Sequence, residues 1–459
     1  MTITPTLYQA DYIVTMDSHN TIIKDGAVLV DQGKIVQLGK ASELLAQHAN
    51  VPLKNMPKRI LMPGLINSHC HSGMLRGTAE GLPVWDWLQQ FIDPMHRVLT
   101  PKDARISSWL CYAEALLSGT TCIVDMWRYM QGSAEAAKQL GIRACLVPYV
   151  AEHPEHDYFE TLDSNEALIN SWHQQAEGRI QVWVGLEHLF YAVPKALTRI
   201  GDLCRDYQVG FHTHSNESRF DVEQTLARYQ IRPIQALEKF GLLNAPKTLL
   251  AHCVWADESE IALMAERSIG VAHNPISNMK LASGAAPVVA MLKAGVAVGL
   301  GTDGEKENNN LDMFEEMKVS SLLAKFSSLD AAALDAWEIC RMATIGGAKA
   351  LGLDNVTGSI EVGKSADMIT IRTNTPRMTP LIDEGPLMNI HHNLVHAVQG
   401  QDVDMTMVAG KVLVENGRLL NHDVQQLIDN VNHAAPALFV RREQWLNRTG
   451  GGKNALHQP

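Results

Sequence analysis

The chain has no Cys-x-x-Cys pair, no long apolar run and no basic arm. Its seven cysteines (Cys70, Cys111, Cys122, Cys145, Cys204, Cys253 and Cys340) are odd in number and scattered. That usage fits reduced, buried thiols rather than a disulfide framework. No stretch reaches the roughly 18 apolar residues of a membrane-spanning helix, so no membrane partner is expected. Residues 1–16 are polar and lack the apolar core of a signal peptide, and the expected location is the cytoplasm. A formal net charge of -11, with no basic patch, argues against a nucleic-acid partner. Internal repeats and low-complexity blocks are absent too. What remains is 459 residues, 46% hydrophobic and 19% charged, enough to bury a large core. The length suits one large domain plus a smaller one, or about three by size alone.

Short alternating runs fill both ends of the chain. Tyr12-Ile13-Val14-Thr15-Met16, Gly26-Ala27-Val28-Leu29-Val30 and Lys34-Ile35-Val36-Gln37-Leu38 are separated by turn residues such as Asp31-Gln32-Gly33. Similar runs return at Asp367-Met368-Ile369-Thr370-Ile371, Met405-Thr406-Met407-Val408 and Lys411-Val412-Leu413-Val414. The two ends are therefore expected to pair into one β unit. Between them, buried-strand runs occur at 61–71, 121–127, 142–150, 180–188, 209–217, 248–255, 270–278 and 297–304. Helix-like segments such as 104–118, 133–140 and 258–267 separate them. Strand and helix alternating eight times is the pattern of a (β/α)8 barrel. The expected fold is α/β: a TIM-like barrel over 61–356, with a small flanking β-sandwich from 1–60 plus 357–420. Residues 421–459 are read as a C-terminal helix and a disordered tail rich in Gly450, Gly451 and Gly452.

The chemistry concentrates in Asn67-Ser68-His69-Cys70-His71. Residues two apart on a strand point the same way, so His69 and His71 present two imidazoles side by side. His214, His252 and Asp303 each stand near the end of another apolar run. On a barrel, catalytic groups come from the C-terminal ends of the strands, and all of these fall there. Together they read as a metal site. Imidazoles with one carboxylate suit one divalent cation, zinc or ferrous iron, and lack the oxygen-rich set of magnesium or calcium. Water acidified by such a cation is a nucleophile near neutral pH. Glu217, three residues beyond His214, can protonate a ring nitrogen as water attacks the neighbouring carbon. His252 and Asp303 can orient that water, with Asp303 carrying its proton to the leaving group.

Further text makes a family resemblance specific. It comprises Pro63-Gly64-Leu65-Ile66-Asn67-Ser68-His69-Cys70-His71, Arg76-Gly77, Trp85-Asp86-Trp87-Leu88 and Ser118-Gly119-Thr120-Thr121. Ala251-His252-Cys253-Val254, His273-Asn274-Pro275-Ile276-Ser277-Asn278-Met279-Lys280-Leu281, Gly301-Thr302-Asp303-Gly304 and Gly358-Ser359-Ile360-Glu361-Val362-Gly363-Lys364-Ser365-Ala366-Asp367 complete it. In order and across most of residues 1–420, the chain resembles the amidohydrolase superfamily, in the branch of methylthioadenosine/S-adenosylhomocysteine deaminases and triazine hydrolases. The resemblance implies one catalytic metal held by His69, His71, His214 and Asp303. It assigns Glu217 and His252 to proton transfer and to polarising the water. Binuclear relatives carry a lysine on the fourth strand. Here that strand ends Val184-Gly185-Leu186-Glu187-His188, which supports a single metal.

The chain departs from that branch around the substrate. Where its nucleoside deaminases place a glutamate on the ribose hydroxyls, this chain has His96. Where they place a carboxylate-binding arginine, it has Pro148, which cannot replace a guanidinium fork. Glu305-Lys306-Glu307 stands where small residues are usual. His188 lies near the position of a substrate-binding histidine. Trp85 and Trp87 either stack on a flat heterocycle or form wall. Arg128 is read as an anion contact or a surface residue, Asn278 and 308–310 as shaping loops. Glu258 to Glu260 and Glu315-Glu316 are read as solvated helix faces, and Met279, Met313 and Met317 as packing.

The expected function is hydrolytic deamination of an amino-substituted nitrogen heterocycle. Adenine nucleosides such as methylthioadenosine and S-adenosylhomocysteine lead; pterins, oxidised guanines and aminotriazines are rivals. The alternative on the same scaffold is a dechlorinase or amidase of a triazine-like substrate. A non-enzymatic binding protein is a third reading, which the full set of catalytic residue types disfavours. The partner is a small heterocyclic molecule. Segment 424–445 can pack on its own barrel or on a second copy in a homo-oligomer, and the sequence leaves both open.

Overall fold

The computed structural model describes residues 4–78 and 80–449. The tail expected at 450–459 lies outside the described residues.

The chain ends share one eight-stranded hydrogen-bonded sheet. Its order is Arg418–Leu419, Lys411–Glu415, Val403–Val408, Met368–Arg372, Leu53–Pro63, Thr6–Val14, Ile22–Asp31 and Lys34–Lys40. All neighbours run antiparallel except Thr6–Val14 beside Leu53–Pro63. The turns Gln32-Gly33 and Ala409-Gly410 have positive φ at both central residues, matching the twist of a two-residue hairpin. The sheet curls until these two turns meet. Gly33 leaves no room for a side chain, since a Cβ there would lie 2.6 Å from the Ala409 carbonyl oxygen. Ala366 N–H donates to the Gly33 carbonyl at 2.9 Å, closing the leaves over a core of Ile13, Val28, Leu61, Met368 and Met407.

The barrel comprises Leu65–Cys70, Thr120–Trp127, Arg143–Pro148, a fourth strand broken at Trp183 (Ile180–Val182 and Val184–Leu186), Phe211–Ser215, Thr248–His252, Gly270–His273 and Ala297–Leu300. Neighbours pair in parallel in that order. First and eighth strands meet where Asp303 N–H donates to the His69 carbonyl at 3.0 Å. The apolar run that began at residue 61 divides at Gly64: Pro63 still pairs in the end sheet, whereas Leu65 N–H donates to Gly119 in the barrel. A Cβ on Gly64 would collide with the Thr121 side chain at 2.1 Å, so only glycine passes there.

One buried ion pair ties sheet to barrel. Arg143 on the third strand donates from Nε (3.0 Å) and Nη2 (2.8 Å) to Asp367 Oδ2, while Asp367 Oδ1 accepts from Ala409 N–H and Ser365 Oγ, both at 2.7 Å. The helix Val424–Thr449 packs on the barrel of its own chain, the first of the two arrangements left open. Leu438 is buried there, Arg441 donates to Asp103 and to the Val98 carbonyl, and Arg442 donates to the Gln90 carbonyl. All seven cysteines are free and buried. No described helix is long and apolar enough to cross a membrane.

Candidate metal centre and substrate pocket

The sequence-selected histidines and Asp303 converge at the C-terminal end of the barrel. His69 Nε2 and His71 Nε2 lie 3.4 and 3.2 Å from Asp303 Oδ1, and His71 Nε2 lies 3.3 Å from His214 Nε2. Each ring nitrogen on the far side is committed. His71 Nδ1 donates to the Met126 carbonyl at 2.6 Å and His214 Nδ1 to the Glu187 carbonyl at 2.8 Å. His212 Nδ1 donates to the Leu249 carbonyl at 2.9 Å, which leaves His212 Nε2 as the acceptor for His69 Nδ1–H at 2.9 Å. A carbonyl only accepts, so Nδ1 of each ring carries a proton, and in their neutral forms His69, His71 and His214 each keep a lone pair on Nε2.

Lone pairs facing one another over such distances repel unless a cation lies between them. His69 Nε2 is fully buried and has no hydrogen-bond partner among the described residues. Three imidazole nitrogens and a carboxylate oxygen are a donor set that fits zinc or ferrous iron. Burial holds His69 and His214 well below the ordinary imidazole pKa, the neutral form a ligand needs. Burial opposes ionisation of Asp303, but the neighbouring His69 and His71 imidazoles hold its carboxyl well below the usual range. Asp303 and His252 sit at φ +60 and +73, left-handed values uncommon outside glycine, and sparsely populated backbone of this kind collects at functional sites.

Glu217 and His188 form the opposite wall. His188 Nδ1 donates to Glu187 Oε2 at 2.6 Å, and its Nε2 faces Asp221 Oδ2 (3.6 Å) and Glu217 Oε2 (3.9 Å). Burial raises the Glu217 pKa, with His252 and His188 pulling the other way. His252 Nδ1 donates to Asn278 Oδ1 at 2.9 Å, turning Nε2 toward Glu217 (4.0 Å) and Asp303 (3.9 Å). Ser277 Oγ donates to Asp303 Oδ2 at 2.7 Å. Asp221 also accepts the Glu217 backbone N–H at 2.8 Å, fixing the turn that carries it.

Val84, Trp87, Leu88 and Leu281 close over these groups, leaving a cavity of about 20 Å³, room for about one water. A heterocycle therefore enters only when part of this lining moves. A cavity of about 1080 Å³ between the helices Pro101–Leu117 and Val424–Thr449 holds none of the cluster residues.

Other expected substrate contacts fall outside the cavity wall. The Trp85 ring packs 5.1 Å from His188, and its Nε1 donates to Ser218 Oγ at 2.8 Å; Trp87 lines the cavity instead. His96 is packed among Trp127, Tyr149 and Phe159, and both of its ring nitrogens lack partners among the described residues. Arg128 is buried rather than superficial and donates to the His96 carbonyl. Two charge readings need correction. Glu260 is fully buried, taking Arg232, Asn216 and the Ile234 N–H, and Glu316 is buried against Asn308. Met313 and Met317 are core, but Met279 is 55% exposed and stands outside it. Sequence reading passed over Tyr149, Asp221, His212 and Ser277. His212 carried a signal, since His212-Thr213-His214 repeats the spacing of His69-Cys70-His71.

A parallel barrel with imidazoles and a carboxylate converging at its C-terminal end defines a metal-dependent hydrolase. The amidohydrolase family model matches residues 60–413, and the chain belongs to that family. A 5-methylthioadenosine/S-adenosylhomocysteine deaminase of Syntrophomonas wolfei is 37% identical over 431 residues, covering 93% of this chain and 97% of the relative. The crystal structure of an adenosine deaminase from Xanthomonas campestris with bound zinc superposes with a TM-score of 0.88 at 30% identity, covering 95% of this chain and 99% of the other. Atrazine chlorohydrolase from Arthrobacter aurescens TC1, complexed with zinc, gives 0.84 at 25% identity over 93% of this chain and 99% of its own.

Proposed function

We propose that this protein is a metal-dependent hydrolytic deaminase of an amino-substituted nitrogen heterocycle, with His69, His71, His214 and Asp303 holding the ion. The observation that carries this reading is the convergence of His69 Nε2 and His71 Nε2 on Asp303, with His214 Nε2 3.3 Å from His71 Nε2 and the buried Glu217 carboxyl reached through His252. Adenine nucleosides head the candidate substrates because relatives are named for them. A divalent cation at this position supplies a water nucleophile near neutral pH.

The side chains then divide the proton work. Glu217, whose carboxyl burial pushes toward the protonated form, faces the ring nitrogen beside the amino-bearing carbon and donates to it as the carbon–oxygen bond forms. His252, its Nδ1–H fixed on Asn278, holds the attacking water through Nε2. Asp303 Oδ2 takes one water proton and passes it to the amino nitrogen, so that the carbon–nitrogen bond breaks with release of ammonia, and the remaining hydroxyl proton restores Glu217 as the ring carbonyl forms. His188 stands beside Glu217 and contacts the ring. Closure of Val84, Trp87 and Leu88 excludes bulk water.

Ammonia release by zinc-loaded protein over adenosines, guanines, pterins and aminotriazines tests the reading. Turnover that disappears with the metal supports it. Chloride release from a halogenated triazine, with no ammonia from any amine, replaces it with the dechlorinase on the same scaffold.

A further inference from the structure

Glu305-Lys306-Glu307 forms a buried charged cluster beside the site, and nothing in the proton work above uses it. Lys306 and Glu307 are 3% and 4% exposed. Lys306 Nζ lies 2.7 Å from Glu307 Oε1 and 3.1 Å from Oε2, and 5.4 and 5.9 Å from the ring centres of Trp127 and Trp87. Two ions out of water carry a desolvation penalty that their attraction often only balances, so stability alone is a poor reason for the pair. Glu307 is also part of the cavity wall, its carboxylate within 4.8 Å of ligand atoms of His71 and Asp303.

Glu217 stands with His188 and His252 on the side of the fourth to sixth strands, while Glu307 stands with His71 on the side of the eighth and first. A ring whose amino-bearing carbon sits between these walls turns one flank to each. The flank at Glu217 is a ring nitrogen that receives a proton. The flank at Glu307 meets a carboxyl that burial pushes up to about 7 against the pull of Lys306; ionised beside that ammonium, it accepts hydrogen bonds and donates none. Adenine presents a fused carbon there with the N7 lone pair beyond it. An aminotriazine presents a bare ring nitrogen. Both repel a carboxylate. A 2-amino-4-oxo ring presents a ring N–H.

We infer that Glu307, held by Lys306, is a specificity-determining residue that accepts the ring N–H of a cyclic acylguanidine, the arrangement in guanine-type purines and pterins. The inference rests on the deaminase reading and narrows its substrate. A site built to pair a donor rejects analogues that lack it, by ~100-fold or more.

The test uses the zinc-loaded full chain and its Glu307→Gln variant. Guanine and pterin are expected to give kcat/KM at least ~100-fold above adenosine, and Glu307→Gln to lower that value by ~10–100-fold with zinc content unchanged, while its melting temperature falls because Lys306 is left unpaired out of water. Calorimetry with the unreactive products xanthine and lumazine should show tighter binding than inosine, a preference lost in the variant. Adenosine as the preferred substrate, with Glu307→Gln indifferent, overturns this inference and leaves the deaminase intact. Equal binding of xanthine, lumazine and inosine overturns it without any turnover. Zinc lost from Glu307→Gln overturns it by placing the carboxylate on the ion. Chloride release without ammonia removes the deaminase itself.

Discussion

His69 Nδ1 donates to His212 Nε2 across 2.9 Å, and His212 passes the obligation on to the Leu249 carbonyl. A backbone oxygen on the sixth strand thereby decides which nitrogen of His69 faces the metal site. His71 and His214 reach backbone carbonyls directly; His69 alone of the three works through a second imidazole. Groups that orient a ligand ring in this way set its tautomer and basicity.

Replacing His212 with leucine frees His69 to rotate or to take the other tautomer. Zinc affinity is expected to fall by ~10–100-fold. Competition against a chromogenic chelator measures it, with far-ultraviolet circular dichroism checking the fold. Unchanged zinc affinity would mean that His69 is oriented by its packing alone.

Glu217→Gln keeps the shape of the wall and removes the transferable proton. The kcat for ammonia release is expected to drop by ~10²–10⁴, the usual contribution of a positioned acid or base. Zinc content should stay at the wild-type level, because Glu217 is on the substrate side of the cluster. Should zinc leave as well, the carboxylate belongs to the metal shell and another group must protonate the ring.

The barrel, the paired ends and the cluster His69, His71, His214, His252 and Asp303 were all legible in the sequence. Apolar runs mark the strands, and strand ends mark the catalytic face. Some residues around them were not. Tyr149 follows the third strand directly and Asp221 opens the helix Arg219–Tyr229, and no apolar periodicity says that either side chain turns into the site. Glu260 and Glu316 look like solvated helix charges because their partners, Arg232 and Asn216 for one and Asn308 for the other, are fixed by tertiary contacts. The run around Gly64 reads as one strand, since apolarity is continuous while the chain crosses from sheet to barrel.

The Arg143–Asp367 pair gives the Ser365-Ala366-Asp367 motif a mechanical meaning. Arg143 is 6% exposed and Asp367 3%, so removing either partner strands the other out of water. Asp367→Ala is expected to destabilise by ~3–5 kcal/mol. Adding Arg143→Met should restore part of that loss, because the uncompensated charge goes with it. Urea midpoints for both singles and the double give the coupling. Strict additivity would show that the two side chains do not act as a pair.

Asp93 makes stability depend on pH. Burial pushes its carboxyl up to about 7 from an ordinary 3.8, against a hydrogen bond from Tyr158 that pulls it down. The folded protein thus holds a proton that the unfolded chain has released. This contribution is complete below pH ~4 and is lost as the pH rises through about 7, where Asp93 must ionise inside the protein. Asp93→Asn mimics the protonated side chain at every pH and can still accept from Tyr158. Its melting temperature should exceed that of the wild type by a few degrees at pH 8, with the gap shrinking toward pH 5. A gap that stays constant across that range would show that Asp93 reaches water well enough to titrate as it does in the unfolded chain.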